Sequence, residues 1–307
     1  MRKVIGVGET ILDILFKDNQ PTAAVPGGSV FNGIISLGRL GANVSFISEV
    51  GNDRVGTMIL NFMKENGVNT NMVSVYQEGK SPVSLAFLDE HNNAQYQFYR
   101  DYPKLRLDIT EPDITSDDIL IIGSYYAIAP ALCNKIKALL DIARNNGAII
   151  YYDVNFRSSH KGEAIKLMPT VIENFEYADI IRGSKEDFQT MFNLNDGEQV
   201  YKQKTEFYTP YFIYTQGPEP IRLFAGKIQK DFPLKHIDAV STIGAGDNFN
   251  AGVIYGILKN RIRKEDLPNL TIEDWDKIIQ CGKDFSAEIC KSLSNSISKA
   301  FASGYDK

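Results

Sequence analysis

The sequence predicts an α/β fold with a largely parallel sheet, and three observations carry that expectation. Short apolar runs recur at Val4 to Val7, Val44 to Val50, Ile119 to Ile122, Ala148 to Val154, Ala178 to Ile181 and Tyr211 to Thr215. Each has the look of a buried strand, and helix-like stretches separate them, the alternation expected of parallel strands with crossover helices. No internal repeat, low-complexity segment or linker rich in Pro, Gly and Ser divides the chain, so residues 1–307 are expected to form one domain.

Two stretches break the rhythm. Ile11 to Pro26 is one. Val73 to Arg100 is the other, where Ser84 to Leu88 and Gln95 to Tyr99 flank His91-Asn92-Asn93 in the manner of a hairpin. The expectation is a small accessory sheet from about 11–26 and 73–105, serving as a lid. Near the C-terminus Thr271 and Asp274 make a capping-box-like start, and Trp275, Ile278, Ile279, Phe285, Ile289 and Leu293 follow at helical spacing as a core-facing stripe.

Bulk composition narrows the function classes. With 43% hydrophobic and 23% charged residues over 307 positions, the chain is ordinary globular protein. A formal charge of −5 argues against a protein built on nucleic-acid binding. The three cysteines, Cys133, Cys281 and Cys290, show no paired spacing for zinc or a disulfide framework. Too few apolar residues precede Glu9 for a signal sequence, and no later run could span a bilayer, so the expected location is cytoplasmic, with no membrane partner.

The run Thr242-Ile243-Gly244-Ala245-Gly246-Asp247 carries the chemistry. Phe249, Val253, Ile254, Ile257 and Leu258 mark one face of a helix that this turn opens, and Ala251 and Gly252 let that helix pack closely. Small residues allow a ligand near the backbone, and the unpaired N–H groups of a first helical turn attract anions. Asp247 sits in that turn, where the helix dipole favours the ionised carboxylate. Two roles are open to it from these residues: a helix cap, or a base that takes a proton from an attacking hydroxyl.

These residues resemble the ribokinase-like, or PfkB, family of carbohydrate kinases, and the likeness runs from about Val4 to Leu258. Gly8-Glu9 followed by Asp13 is similar to the family's first strand and sugar-binding Asp. Pro26-Gly27-Gly28-Ser29-Val30-Phe31-Asn32 resembles its double-glycine signature. Gly51 to Gly56 and Glu65 to Val68 resemble its next segment, Asp153-Val154-Asn155-Phe156-Arg157 the Asp-x-Asn-x-Arg of fructokinases and 2-keto-3-deoxygluconate kinases, and Thr215-Gln216-Gly217 a nucleotide-site turn. The five segments stand in the family's order.

The resemblance implies a three-layer α/β/α fold with a β lid, ATP near the glycine turn and sugar between sheet and lid. It implies Asp247 as general base, Gly244, Ala245 and Gly246 as the anion hole, and Asp13, Gly27, Gly28, Asn32, Arg100 and Arg157 toward the substrate. It places ATP against Asn155, Ser184, Thr215, Gly217, Thr242, Gly244 and Gly246. Mg2+ would be reached through water by Asp187 or Glu186, and a homodimer through the lid is left open. A polyol needs several hydrogen-bonding partners, which Asp13 and Asn32 supply.

Two departures from the family pattern stand out. Where the family usually carries Asn-x-x-Glu, this chain has Ser184-Lys185-Glu186-Asp187, and helix capping by Ser184 competes with a metal role. Ser241 replaces the Asp that commonly opens the glycine motif, removing a charge that some relatives associate with a monovalent cation. For the substrate, two guanidiniums facing the sugar would fit an acid such as 2-keto-3-deoxygluconate, whereas Arg157 serving ATP would fit a neutral ketose. Asp101-Tyr102-Pro103 lacks the Ser-Ala of the keto-acid kinases, and fructose is the expected substrate. Pentose and nucleoside kinases of the fold are alternatives, as is a non-catalytic regulatory homologue. A dinucleotide fold is excluded because Ile11 stands where the third glycine after Gly6-Val7-Gly8 belongs.

Overall fold

The computed structural model describes residues 2–90, 94–108 and 110–305. In chain order its strands are β1 (Val4–Val7), β2 (Ile11–Lys17), β3 (Gln20–Gly27), β4 (Val44–Gly51), β5 (Val68–Asn69), β6 (Val73–Tyr76), β7 (Lys80–Leu88), β8 (Ala94–Asp101), β9 (Ile119–Gly123), β10 (Ile149–Asp153), β11 (Ile180–Ser184), β12 (Tyr211–Gln216), β13 (Glu219–Ala225) and β14 (Ile228–Phe232). The helices are α1 (Ser29–Arg39), α2 (Arg54–Glu65), α3 (Cys133–Asn145), α4 (Ala164–Tyr177), α5 (Lys185–Phe192), α6 (Gly197–Val200), α7 (Ala245–Lys259), α8 (Ile272–Ile289) and α9 (Lys299–Gly304).

All six apolar runs are strands of one large sheet, ordered β14-β13-β12-β11-β10-β9-β1-β4-β5. From β12 to β5 neighbouring strands are parallel, and β13 and β14 add an antiparallel meander at one edge. Alternate side chains of each strand enter two separate cores. Ile119, Ile121, Ile149, Tyr151, Ile180 and Ile213 pack with residues of α1, α2, α7, α8 and α9. Leu120, Ile122, Ile150, Tyr152, Ile181 and Phe212 pack on the other face with α3, α4, α5 and α6. A sheet covered on both faces needs continuous apolar strands, which is why these runs carry no polar alternation.

The small sheet is β3-β2-β7-β8. The β7–β8 hairpin forms as expected, with Phe87 opposite Gln95, and its turn at 91–93 lies outside the described residues. The expected span is trimmed at its start: β6 (Val73–Tyr76) pairs in parallel with β4 and belongs to the large sheet. The α8 stripe is buried from Trp275 to Ile289, and its capping box forms between Thr271 and Asp274. Leu293 does not continue that stripe. The helix ends at Ile289, and Leu293 is 48% exposed.

Candidate active site

Parallel α/β sheets bind ligands beyond the carboxyl ends of their strands. Here that edge carries Glu9 just after β1, Glu49 in β4, Asp153 at the end of β10, Arg182 and Ser184 in β11, and Thr215 in β12. The glycine turn lies against it, as the N-terminus of α7. Gly244 is the N-cap in the left-handed region at φ 77°, a conformation that favours glycine, and no side chain caps the helix there. Ala245 N donates to the Thr242 carbonyl at 3.2 Å, which leaves the first-turn N–H groups of Gly246 and Asp247 without a helical partner. Close packing of α7 on α8 follows from Gly252, where a Cβ would lie 2.3 Å from the Cys281 carbonyl oxygen.

Asp247 does not cap its own helix. Its Oδ1 accepts from Ser29 Oγ at 2.9 Å, and its Oδ2 accepts from Asn32 Nδ2 at 2.8 Å. Both partners are on α1, whose entry is set by Gly28: at φ 139° a Cβ there would lie 2.2 Å from the Glu9 carbonyl oxygen. Ser29 Oγ also accepts from Asn155 Nδ2 at 2.7 Å, and Asn155 is held at φ 37°. Three predicted segments, Pro26 to Asn32, Asp153 to Arg157 and Thr242 to Asp247, thus meet at one carboxylate.

Burial opposes the ionised form expected of Asp247 at this helix start. Desolvation pushes its carboxyl up to about 6, with the Asp153 charge adding to the rise, while the Asn32 and Ser29 hydrogen bonds and the Arg157 charge oppose it. Asn32 is buried, and among the described residues its Oδ1 has no hydrogen-bond donor. A buried unsatisfied acceptor beside Asp247 is an open position for a ligand hydroxyl.

Asp13 lies in β2 opposite Val25 of β3 and Ser84 of β7. It is 9% exposed, accepts a hydrogen bond from Ser84 Oγ, and is pushed up to about 6, again chiefly by desolvation. Gly27 passes so close that a Cβ there would lie 2.6 Å from Asp13 Oδ2. Tyr96 of β8 feels the charges of Asp13, Arg157 and Asp247, and its hydroxyl is pushed up to about 12, mainly by burial.

The two predicted arginines differ. Arg100 forms a two-pronged pair with Glu9, Nε to Oε1 at 2.7 Å and Nη2 to Oε2 at 3.0 Å, and the Tyr102 hydroxyl donates to the same carboxylate at 2.5 Å. Its fork is occupied within the protein. Arg157 is exposed, its guanidinium has no hydrogen-bond or ion-pair partner among the described residues, and its charge acts on both Asp13 and Asp247.

Ser184 and Asp187 form a reciprocal capping box at α5: Asp187 Oδ2 accepts from Ser184 N at 2.7 Å, and Ser184 Oγ accepts from Asp187 N at 3.2 Å. Asp187 is buried, and desolvation pushes it up to about 6. Glu186 is exposed at the first turn of the same helix. Thr242 is exposed beside the glycine turn, and Gly217 turns the chain after β12 at φ 64°.

Three participants escaped sequence reasoning as site residues. Ser29 stands inside the double-glycine signature, and only the packing of α1 on α7 makes it a partner of Asp247. Arg182 reads as a stray cation in an apolar strand, yet it sits beneath Gly246, where a Cβ would lie 3.1 Å from Arg182 Nη2. Asn295, in the segment after α8, reaches the glycine turn by accepting from Asn248 Nδ2 at its carbonyl, 2.9 Å away. An arginine interrupting an otherwise buried strand is the one signal that could have been read.

The sequence model of the pfkB family carbohydrate kinases matches residues 1–298. Probable fructokinase-6, chloroplastic, of Arabidopsis thaliana is 27% identical over 272 residues, covering 82% of this chain and 69% of the relative. The 5-dehydro-2-deoxygluconokinase of Clostridium perfringens is 28% identical over 250 residues, covering 76% of this chain and 72% of the relative. The fold is also similar to the crystal structure of fructokinase from Vibrio cholerae O395 with fructose, ADP and calcium ion bound. The TM-score is 0.85 at 19% identity, covering 100% of this chain and 99% of that one.

Proposed function

The chain belongs to the pfkB family of carbohydrate kinases, phosphotransferases with a hydroxyl acceptor, and on that premise we propose an ATP-dependent kinase of fructose or a related ketohexose with Asp247 as its general base. The observation that carries the reading is the convergence on Asp247 of Ser29, Asn32 and, through Ser29, Asn155. A carboxyl at about 6 is ionised at neutral pH yet basic enough to take a proton. The substrate hydroxyl gives its proton to Asp247 while its oxygen bonds to the γ-phosphorus. The bond from phosphorus to the β–γ bridging oxygen breaks, and ADP leaves with that electron pair.

Asp13 and the free Oδ1 of Asn32 hold sugar hydroxyls, and the small sheet acts as a lid that keeps water from competing for the phosphoryl group. The uncapped N–H groups of α7 and the unpaired Arg157 receive the charge on the transferring phosphoryl oxygens. Mg2+ held by nucleotide phosphates needs only one or two protein carboxylates, usually through water, so the absence of a three-ligand cluster among the described residues is compatible with it. Glu186, exposed and free of the capping box, suits that position better than Asp187; the ion would supply charge neutralisation on the phosphates.

Arg100 supports a neutral substrate, because Glu9 already occupies its fork. A second reading, a sugar-acid kinase, is favoured by the unpaired Arg157 and by the similarity to a 5-dehydro-2-deoxygluconokinase. Coupled detection of ADP release across ketohexoses, pentoses, ribosides and sugar acids separates the two. Turnover on fructose or a near relative is expected to dominate; turnover confined to acids would overturn the first reading in favour of the second.

A further inference from the structure

Beneath the glycine turn, the ends of three adjacent strands carry a buried polar chain. Asp153 of β10 is 1% exposed and Arg182 of β11 is 7% exposed, and the two are paired in register. Arg182 Nη1 donates to Asp153 Oδ1 at 2.9 Å, and Nη2 donates to Thr215 Oγ1 of β12 at 2.6 Å. Both guanidinium terminal nitrogens also lie against Gly246, 3.1 and 3.3 Å from where a Cβ would be. Arg182 Nε and Asp153 Oδ2 are buried with no hydrogen-bond partner among the described residues.

A buried ion pair is a poor source of stability, because desolving both charges cancels most of their attraction. Its position therefore asks for another explanation. Thr215 supplies one. A hydroxyl has one proton and accepts through its lone pairs. With Arg182 N–H donated into Thr215 Oγ1, the Thr215 proton is turned away from the guanidinium and is left for another acceptor, and Thr215 is partly exposed.

We infer that Arg182 is a positioning residue for the nucleotide: anchored by Asp153, it orients the Thr215 hydroxyl as a donor to a phosphate oxygen and places a fixed positive charge under Gly246. The inference deepens, and rests on, the reading that nucleotide occupies this cleft. Gly246 is required on this account for more than the turn, since a side chain there would push the guanidinium off Thr215.

The test is a double-mutant cycle of Arg182→Lys with Thr215→Val, read by calorimetric titration of ATP and of the preferred sugar, with a melting curve for each protein. Lysine keeps the charge beside Asp153 and loses the fork that spans Asp153 and Thr215, while valine suits a strand and removes the hydroxyl. Each single variant is expected to weaken ATP roughly 10- to 100-fold, with sugar affinity changed less than about 2-fold. The double variant is expected to be no weaker than the poorer single, because both remove one interaction. Thr215→Ser, which retains the hydroxyl, is expected to restore ATP affinity. Additive losses in the double variant, or an Arg182→Lys effect confined to melting temperature, would overturn the inference. If Arg182→Lys does not fold, the Arg182→Met, Asp153→Leu pair, which removes both buried charges, carries the same expectation for ATP. Wild-type protein that binds no ATP in this titration would overturn the kinase reading itself, and the inference with it.

Discussion

Ser29 Oγ is a two-sided link: it donates to Asp247 Oδ1 at 2.9 Å and accepts from Asn155 Nδ2 at 2.7 Å. A hydroxyl near the start of the first helix thus orients a carboxylate more than two hundred residues later. Replacing Asp247 with Asn is expected to lower kcat by on the order of 10² to 10⁴-fold while ATP affinity stays near normal. Ser29→Ala removes one hydrogen bond to the ionised carboxylate and is expected to cost roughly 10-fold in kcat. It also raises the acidic limb of the pH–rate profile, since that bond favours the charged form. Unchanged kcat in purified, folded Asp247→Asn would remove the base assignment.

Activity and stability are expected to part company in mild acid. Asp247 must be ionised to act, so kcat falls as pH drops through about 6. Stability goes the other way for the same group. Asp13, Asp179, Asp187 and Asp247 all have carboxyls raised by desolvation, so between their unfolded values near 4 and their folded values the native state holds more protons. Their contribution is therefore more favourable at pH 5.5 than at pH 7. The half-buried His160, lowered chiefly by desolvation, opposes them. A melting temperature that holds between pH 7 and 5.5 while kcat falls is the expected pattern; a parallel collapse would attribute the activity loss to unfolding.

Asp13→Ala is expected to raise the sugar KM by roughly 10- to 100-fold and leave ATP binding within a factor of about 2. Isothermal titration with each substrate checks the split. A loss seen only with ATP would move Asp13 out of the sugar site.

Glu9→Gln releases the Arg100 fork without removing bulk. On the proposed reading, kcat/KM for a sugar acid rises relative to fructose by on the order of 10-fold, because a bidentate guanidinium becomes available for carboxylate. An unchanged ratio would mean that Arg100 does not face the substrate.

Glu186 and Asp187 are separable by different measurements. Asp187→Ala breaks the capping box and is expected to lower stability by about 1 kcal/mol. Glu186→Gln is expected to leave the melting temperature alone and raise the Mg2+ concentration needed for half-maximal rate. The reverse pattern would give the metal role to Asp187.

What could be read from the chain follows from how local the cause was. The large sheet was legible because strands buried on two faces must be apolar throughout, and the α8 cap because Thr271 and Asp274 are three residues apart. Leu293 keeps helical spacing, but Ser292 and Ser294 bond backbone N–H groups of the following turn and end the periodicity's meaning. The site was partly legible, since Gly244 to Asp247 announce a helix entry by residue type alone. Which side chain Asp247 would meet depended on α1 crossing α7. The Arg100 fork was recognisable, but its occupant, Glu9, is ninety-one positions away. Arg182 shows in the sequence only as a charge in an apolar strand, and its partners are brought to it only when β10, β11 and β12 align.

The segment after α8 closes back on the first helix. Ser296 Oγ donates to the Asn32 carbonyl, Ile297 N to Ser36 Oγ, and Arg39 Nη1 to the Ile297 carbonyl, across separations of 264, 261 and 258 residues. During synthesis, then, α1 leaves the ribosome with polar groups whose partners do not yet exist. Chains begin folding from their N-terminal part, but this cleft cannot be stitched shut until Ser296 and Ile297 have emerged. A nascent chain halted before Ser296 would carry every residue from Asp13 to Asp247 and still lack the clasp that fixes α1.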